Sequence, residues 1–257
     1  MNRETDLSVS AYGIVRPLDY EVAILPWGAT EPHNLHLPYL TDAILAHDVA
    51  VDAAVRASTL YNIRTMVLPP VAMGAQNPGQ RDLKFCIHYR QATQYAILTD
   101  IVASLHHQGM RKLLIVNGHG GNSFKGMIRD LAVDFPDFFI LSSEWFAVLP
   151  AREWFDDPGD HADELETSVM MHYHPELVRL EEAGAGDAHP FALQGLREKV
   201  AWLPRHWTRV TQDTGIGDPR LATAEKGRRF AEAVAGKYAS LLRDLAAVKD
   251  EAGFYAS

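Results

Sequence analysis

The chain has 257 residues, 47% of them hydrophobic and 22% charged, which is the composition of an ordinary globular protein and excludes a disordered or fibrous one. A net charge of −9, with no Lys/Arg block, argues against a nucleic-acid partner, which asks for a basic face. No apolar run approaches the ~20 residues that cross a bilayer, the opening MNRETDLSVS lacks the apolar core of a signal peptide, and the single cysteine, Cys86, excludes an internal disulfide; a cytoplasmic protein with no membrane partner is expected.

From the N-terminus, VAILP (22–26) is the first buried strand, short, apolar and closed by a glycine. A helical pattern follows over about 41–58. TMVLP (65–69) is the second strand, and a helix is expected over about 92–108. KLLIVNG (112–118) is the third strand, followed by a helix over about 122–134 with Asn122 as its N-cap. FFILSS (138–143) is the fourth strand, and further helices are expected near 163–174 and 222–247. Continuous apolar strands alternating with helices imply an α/β fold, a mostly parallel sheet covered on both faces. The chain shows no repeat and no linker, so one domain is expected over 1–257.

The polar motifs fall just after these strands. GATEPHNLHLPYLTD (28–42) follows the first, NGHGGN (117–122) the third, and SSEWF (142–146) closes the fourth. In open α/β sheets ligands bind beyond the carboxyl ends of the strands. Three separate segments therefore bring chemistry to one edge of the sheet.

Glu31 and His33 are two positions apart, so in an extended segment both face one way and can share an ion. Asp42, at a helix start, is either a helix cap or a carboxylate that bridges two cations. His36 suits packing or a donor role behind the ligands. His47, His106, His107, His172 and His174 read as surface or core histidines. His119 lies between glycines that permit close backbone approach to a ligand, and the absence of GxGxxG or GK[ST] argues against a nucleotide site. In GDHADELETS (159–168), His161 and Glu166 meet at a loop–helix junction, and Asp163 with Glu166 also fits a capping pair. Gly120, Gly121, Asn77 and Trp154 are expected to contact a small-molecule substrate; Trp145 and Phe155, beside Trp154, line the pocket or pack in the core. A carboxylate–imidazole set without thiolates suits Zn²⁺, Mn²⁺ or Fe²⁺. Two such ions ~3.5–4 Å apart hold a hydroxide and polarise a carbonyl.

Together GATEPHNLHLPYLTD, NGHGGN and HADELETS resemble the motifs of the creatininase family, and GDPRLATAEKG (217–227) is similar to a late segment of the same family. The resemblance spans about residues 22–230. It implies a three-layer α/β/α fold, a two-metal centre, hydrolysis of a non-peptide C–N amide bond, and a homo-oligomer, a hexamer in the family. By the same resemblance Glu31, His33, Asp42 and His119 match metal ligands, with Asp42 bridging, and His161 matches a catalytic histidine. Two departures stand out. The family's archetype has a ligand Glu where this chain has Gly121, so Glu166 is expected to complete the second site. The family's P-G-T segment is replaced by GAQNPGQRDLKFCIHYRQAT (74–93), a more basic stretch, which argues against creatinine as substrate. The rival readings are a lactonase on the same centre and a non-catalytic metal-binding protein.

Overall fold

The computed structural model describes residues 3–256; of the expected domain, 1, 2 and 257 lie outside the described residues. Strands β1 (Val22–Trp27), β2 (Thr65–Val67), β3 (Lys112–Asn117) and β4 (Phe139–Glu144) form one parallel sheet in the order β2-β1-β3-β4. Between and after them run α1 (Thr41–Tyr61), α2 (Gln91–His107), α3 (Lys125–Asp134), α4 (Glu164–Tyr173) and α5 (Ala224–Ala247).

The central strands are apolar at almost every position, so both faces must be covered. Side chains alternate between faces along a strand. Val22, Ile24, Leu114 and Val116 pack with residues of α1, α4 and α5, such as Leu45, Val169 and Phe230. Ala23, Leu25, Leu113 and Ile115 pack with Leu98 and Val102 of α2 and Met127 and Leu131 of α3. The result is the expected three-layer α/β/α arrangement. Helix α1 buries Ala46, Ala50, Ala53 and Ala57, a small-residue stripe that contributes to the core shared with α5. It stops at Asn62, whose left-handed backbone (φ 56°) supplies the C-cap.

Helix boundaries differ from expectation at α3. It starts at Lys125, with Phe124 as an N-cap that makes no side-chain bond. Asn122 is not a cap, because its amide is engaged by three loops described below. Asp163, by contrast, does cap α4, accepting from the Glu166 amide at 3.0 Å. Among the described residues no helix is long and apolar enough to cross a membrane.

β1 lies between β2 and β3. The chain leaves β1 through α1 to β2, whereas β3 leads through α3 to β4 on the other side. The connections diverge at the carboxyl ends of β1 and β3 and open a crevice there.

The N-terminal segment is tied to this frame by a backbone hydrogen bond to β2 and by one imidazole. Val67 donates to the Thr5 carbonyl at 2.8 Å. His47 on α1 lies 3.1 Å from Asp6 through Nε2 and 3.6 Å from Asp48 through Nδ1. Burial opposes a charged imidazole, but Asp48 and Asp6 outweigh it and hold His47 above its ordinary value. A folded-state pKa raised above the unfolded one stabilises below the ordinary imidazole range and loses that contribution as pH rises through the folded value. Amide exchange in residues 3–10 should therefore be slower at about pH 6 than at about pH 9, after correction for intrinsic rates. His47→Gln should abolish the difference.

Candidate metal centre

Glycine shapes the crevice. A Cβ on Gly118 would lie 2.2 Å from the Asp42 carbonyl oxygen, so only glycine lets the exit of β3 abut the first turn of α1. That contact holds Asp42 in the crevice floor. The N-cap of α1 is Leu40, so the Asp42 carboxylate is free for the site. Asn122 joins the surrounding loops: it donates to the Gly28 carbonyl (3.2 Å) and to Asn117 Oδ1 (3.0 Å), and accepts from the Ala75 amide (3.1 Å). Asn117 in turn clasps His119, donating to its carbonyl at 2.8 Å and accepting from its amide at 3.2 Å.

Three buried imidazoles share one arrangement. His33 donates from Nδ1 to the Glu31 carbonyl at 3.0 Å and turns Nε2 to Asp42 Oδ1 at 2.9 Å. His119 donates from Nε2 to the Ala75 carbonyl at 2.7 Å and turns Nδ1 to Glu31 Oε1 at 2.9 Å. The same Nδ1 is 3.1 Å from Asp42 Oδ2, without hydrogen-bond geometry. His161 donates from Nε2 to the Pro32 carbonyl at 2.9 Å and points Nδ1 inward, 3.9 Å from Glu31 Oε1. A carbonyl that fixes one ring nitrogen as the donor leaves the other to a metal ion or a proton.

The electrostatics carry the same message. Burial disfavours the Asp42 and Glu31 carboxylates, but the imidazoles of His33 and His119 around Asp42, and of His119 and His161 around Glu31, hold both below the usual carboxylate range. Burial likewise opposes charge on His33, yet Asp42 raises it to about 10. His119 is raised well above its ordinary value against burial, by Glu31 and Asp42. Glu166 goes the other way: burial pushes it up to about 8, with His33 acting against. Each inward nitrogen faces a carboxylate, and either a proton or a cation must sit between them.

The donor set fits divalent cations. Glu31, Asp42 and His119 present ligand atoms all within 4.8 Å of one another; so do His33, Asp42 and Glu166, and so do Glu31, His33 and His161. Asp42 belongs to two of these groups, one oxygen turned to each histidine. Glu166 belongs to the second group. His161 joins the third and stacks on His33 with ring centroids 4.2 Å apart.

A cavity of about 480 Å³ opens over the cluster. Gly120, Gly121 and Asn77 line it. Trp154 does not, contrary to expectation: its ring packs edge-on against Phe230 at 5.8 Å, in the apolar layer beneath α5. Trp145 and Phe155 pack on Phe230 as well. The cavity's aromatic walls are Phe146, Trp202 and Trp207 instead. Gln80 was not legible in the sequence. It is buried, donates from its side-chain amide to Glu31 Oε2, and accepts from the Asn77 amide at 2.6 Å. His36 is buried behind the cluster, 2.8 Å from Thr167 Oγ1.

The family model of creatininase, described as creatinine amidohydrolase, matches residues 15–242. The chain belongs to the creatininase family. A mycofactocin precursor peptide peptidase of Mycobacterium ulcerans is 33% identical over 226 residues, covering 85% of this chain and 83% of that protein. A crystal structure from Bacteroides fragilis, provisionally named a creatinine amidohydrolase, is 61% identical, covers 97% of this chain and 99% of that one, and superposes with a TM-score of 0.96. A creatininase variant of Zn-Zn type, 22% identical over 93% of this chain and 97% of that one, shares the fold with a TM-score of 0.75. This creatininase-family chain is a hydrolase by kinship.

Gly121 explains the departure from the archetype in steric terms. A Cβ there would stand 2.2 Å from the Ala75 carbonyl oxygen and 2.4 Å from His119 Nε2. Restoring the archetype's ligand by Gly121→Glu should therefore displace the carbonyl that orients His119. Metal affinity should fall about 10- to 100-fold in chelator competition, as for loss of a group that orients a ligand. Unchanged or tighter binding would show that a carboxylate introduced at this position can serve as a ligand.

Proposed function

We propose that this protein hydrolyses a C–N amide bond of a small molecule, such as a cyclic amide or a formamide, using two divalent cations held by Glu31, His33, Asp42, His119 and Glu166. The observation that carries the reading is the Asp42 carboxylate, with Oδ1 2.9 Å from His33 and Oδ2 3.1 Å from His119, one oxygen for each half of the centre. When bound, a pair of divalent cations supplies a water of lowered pKa and a Lewis acid for the carbonyl oxygen.

The chain's own residues do the rest. Gln80 orients Glu31 through its side-chain amide. His161 is fixed by three contacts. Its ring donates to Pro32, its backbone bridges Ile216, and Trp207 packs edge-on at 5.2 Å and 89°. The next residue, Ala162, takes a left-handed backbone (φ 49°), a costly conformation for a non-glycine residue, and donates to Glu166 Oε2 at 2.5 Å. With Nε2 committed to a carbonyl, Nδ1 of His161 takes a proton from the attacking water and passes it to the leaving nitrogen as the C–N bond breaks.

A second reading, cleavage of a peptide C–N bond, is favoured by the name of the 33%-identical relative. A lactone would be attacked by the same groups. A panel of cyclic amides, formamides, short peptides and lactones, assayed with Zn²⁺ and with Mn²⁺, separates the three. Creatinine should be a poor substrate beside the best member. No turnover of any amide would end the proposal.

The roles of the residues are separable. The wild-type chain should bind about two divalent ions by elemental analysis. Asp42→Asn should lose metal and activity together. His161→Ala should keep its metal and lose about 10²–10⁴-fold in rate. If His161→Ala loses an ion, His161 is a ligand and not the proton carrier.

A further inference from the structure

The cavity wall carries a single Lys or Arg side chain among the described residues, Arg205, against Glu31, Asp42, Asp160, Asp163 and Glu166. Its guanidinium lies 5.1 Å above the Trp207 ring, and one terminal nitrogen is 2.5 Å from Asp160 Oδ2. It makes no other ion pair among the described residues. A guanidinium has five N–H donors in a planar fork, so one carboxylate contact leaves donors to spare. The side chain is 36% exposed, and it also borders a second hollow of about 380 Å³ whose lining includes Phe191, Val210 and Ile216 with His189 and a second cation, Arg197, and no acidic residue among the described residues. Nothing lining that hollow neutralises the charge.

The surroundings hold this cation in place. Trp207 donates to the Pro78 carbonyl at 2.7 Å, which pins the segment carrying Arg205 to the one carrying Gln76 and Asn77. Gln76 also lines this cavity, and its buried Oε1 has no hydrogen-bond partner among the described residues. Arg205 is therefore a preoriented cation on one wall of the cavity, held on a segment bonded to the one that carries Gln76 and Asn77.

Resting on the reading of this cavity as the substrate site, we infer that Arg205 receives a carboxylate that the substrate carries in addition to its scissile amide. The substrate class is then an acidic amide, such as an N-acylamino acid or a peptide with a free C-terminus. The Asp160 carboxylate occupies part of the same fork and competes with the substrate for it. A purely structural ion pair would not behave as a competitor.

The test uses the metal-loaded full chain and three probes, N-formyl-, N-acetyl- and N-benzoylglycine, each paired with its carboxamide, with affinities read by calorimetry. The wild type should bind at least one carboxylate roughly tenfold tighter than its carboxamide, the scale of a charge-assisted hydrogen bond. Arg205→Gln should remove that preference and Arg205→Lys should keep part of it. Asp160→Asn should bind the carboxylate more tightly than the wild type. Circular dichroism and metal content identify any variant that has lost its fold. Three outcomes overturn the inference. One is no carboxylate preference in the wild type, and another is no saturable binding of any probe. The third is a preference unchanged in Arg205→Gln, which would assign the carboxylate to the cations. Amide turnover without carboxylate preference defeats this inference alone. Arg205-dependent binding without turnover of any amide defeats the proposed function alone.

Discussion

A buried carboxylate between two buried imidazoles is a costly arrangement unless each contact is compensated, and the structure around Asp42 supplies that compensation. Removing charges from water costs several kcal/mol per ion. Asp42 meets His33 on one oxygen and His119 on the other, and both rings are braced from behind by backbone carbonyls, of Glu31 and Ala75. The bracing comes from loops that a single side chain, Asn122, ties together. Displacing any of these loops leaves a buried charge unpaired.

The sheet topology explains why the centre forms at this place. β1 and β3 are neighbours whose following connections run to opposite sides, so their exits diverge and leave a space. Glu31 comes from one exit and His119 from the other, and Asp42 enters from the helix that packs across both. The two apolar layers hold these three origins in register. The core beneath is apolar and buried, which keeps the local dielectric low and makes each charge contact at the centre strong.

The wall over the carboxylate–imidazole cluster is built around Gly121 and the 74–80 segment. With glycine at 121, the Ala75 carbonyl approaches His119, and Glu166 on α4 lies close to His33 and Asp42. The 74–80 segment then curves over the site, Gln80 reaches Glu31, and the segment bearing Arg205 and Trp207 docks on it through the Pro78 carbonyl.

Much of this was readable without coordinates. Apolar runs at 22–26, 65–69, 112–118 and 138–143 marked the strands, because a strand buried on both faces has no polar alternation to hide it. The motifs beyond strands one and three, and HADELETS, marked the centre, because ligand chemistry restricts residue types locally. Three features were not readable, and each has a tertiary cause. Asn122 resembles an N-cap until the loops it joins, 28 and 75, are seen beside it. Trp154 resembles a pocket wall until the approach of Phe230, from a helix distant in sequence, takes its ring into the core. Gln80 and Arg205 are ordinary polar residues in sequence, and gain meaning only from Glu31 and Asp160 across the cavity. The strands, the long helices and the carboxylate–imidazole motifs follow from local periodicity and side-chain chemistry, and so were legible in the chain. Which wall faces those ligands was decided by the tertiary structure alone, because it depends on contacts between segments far apart in the chain.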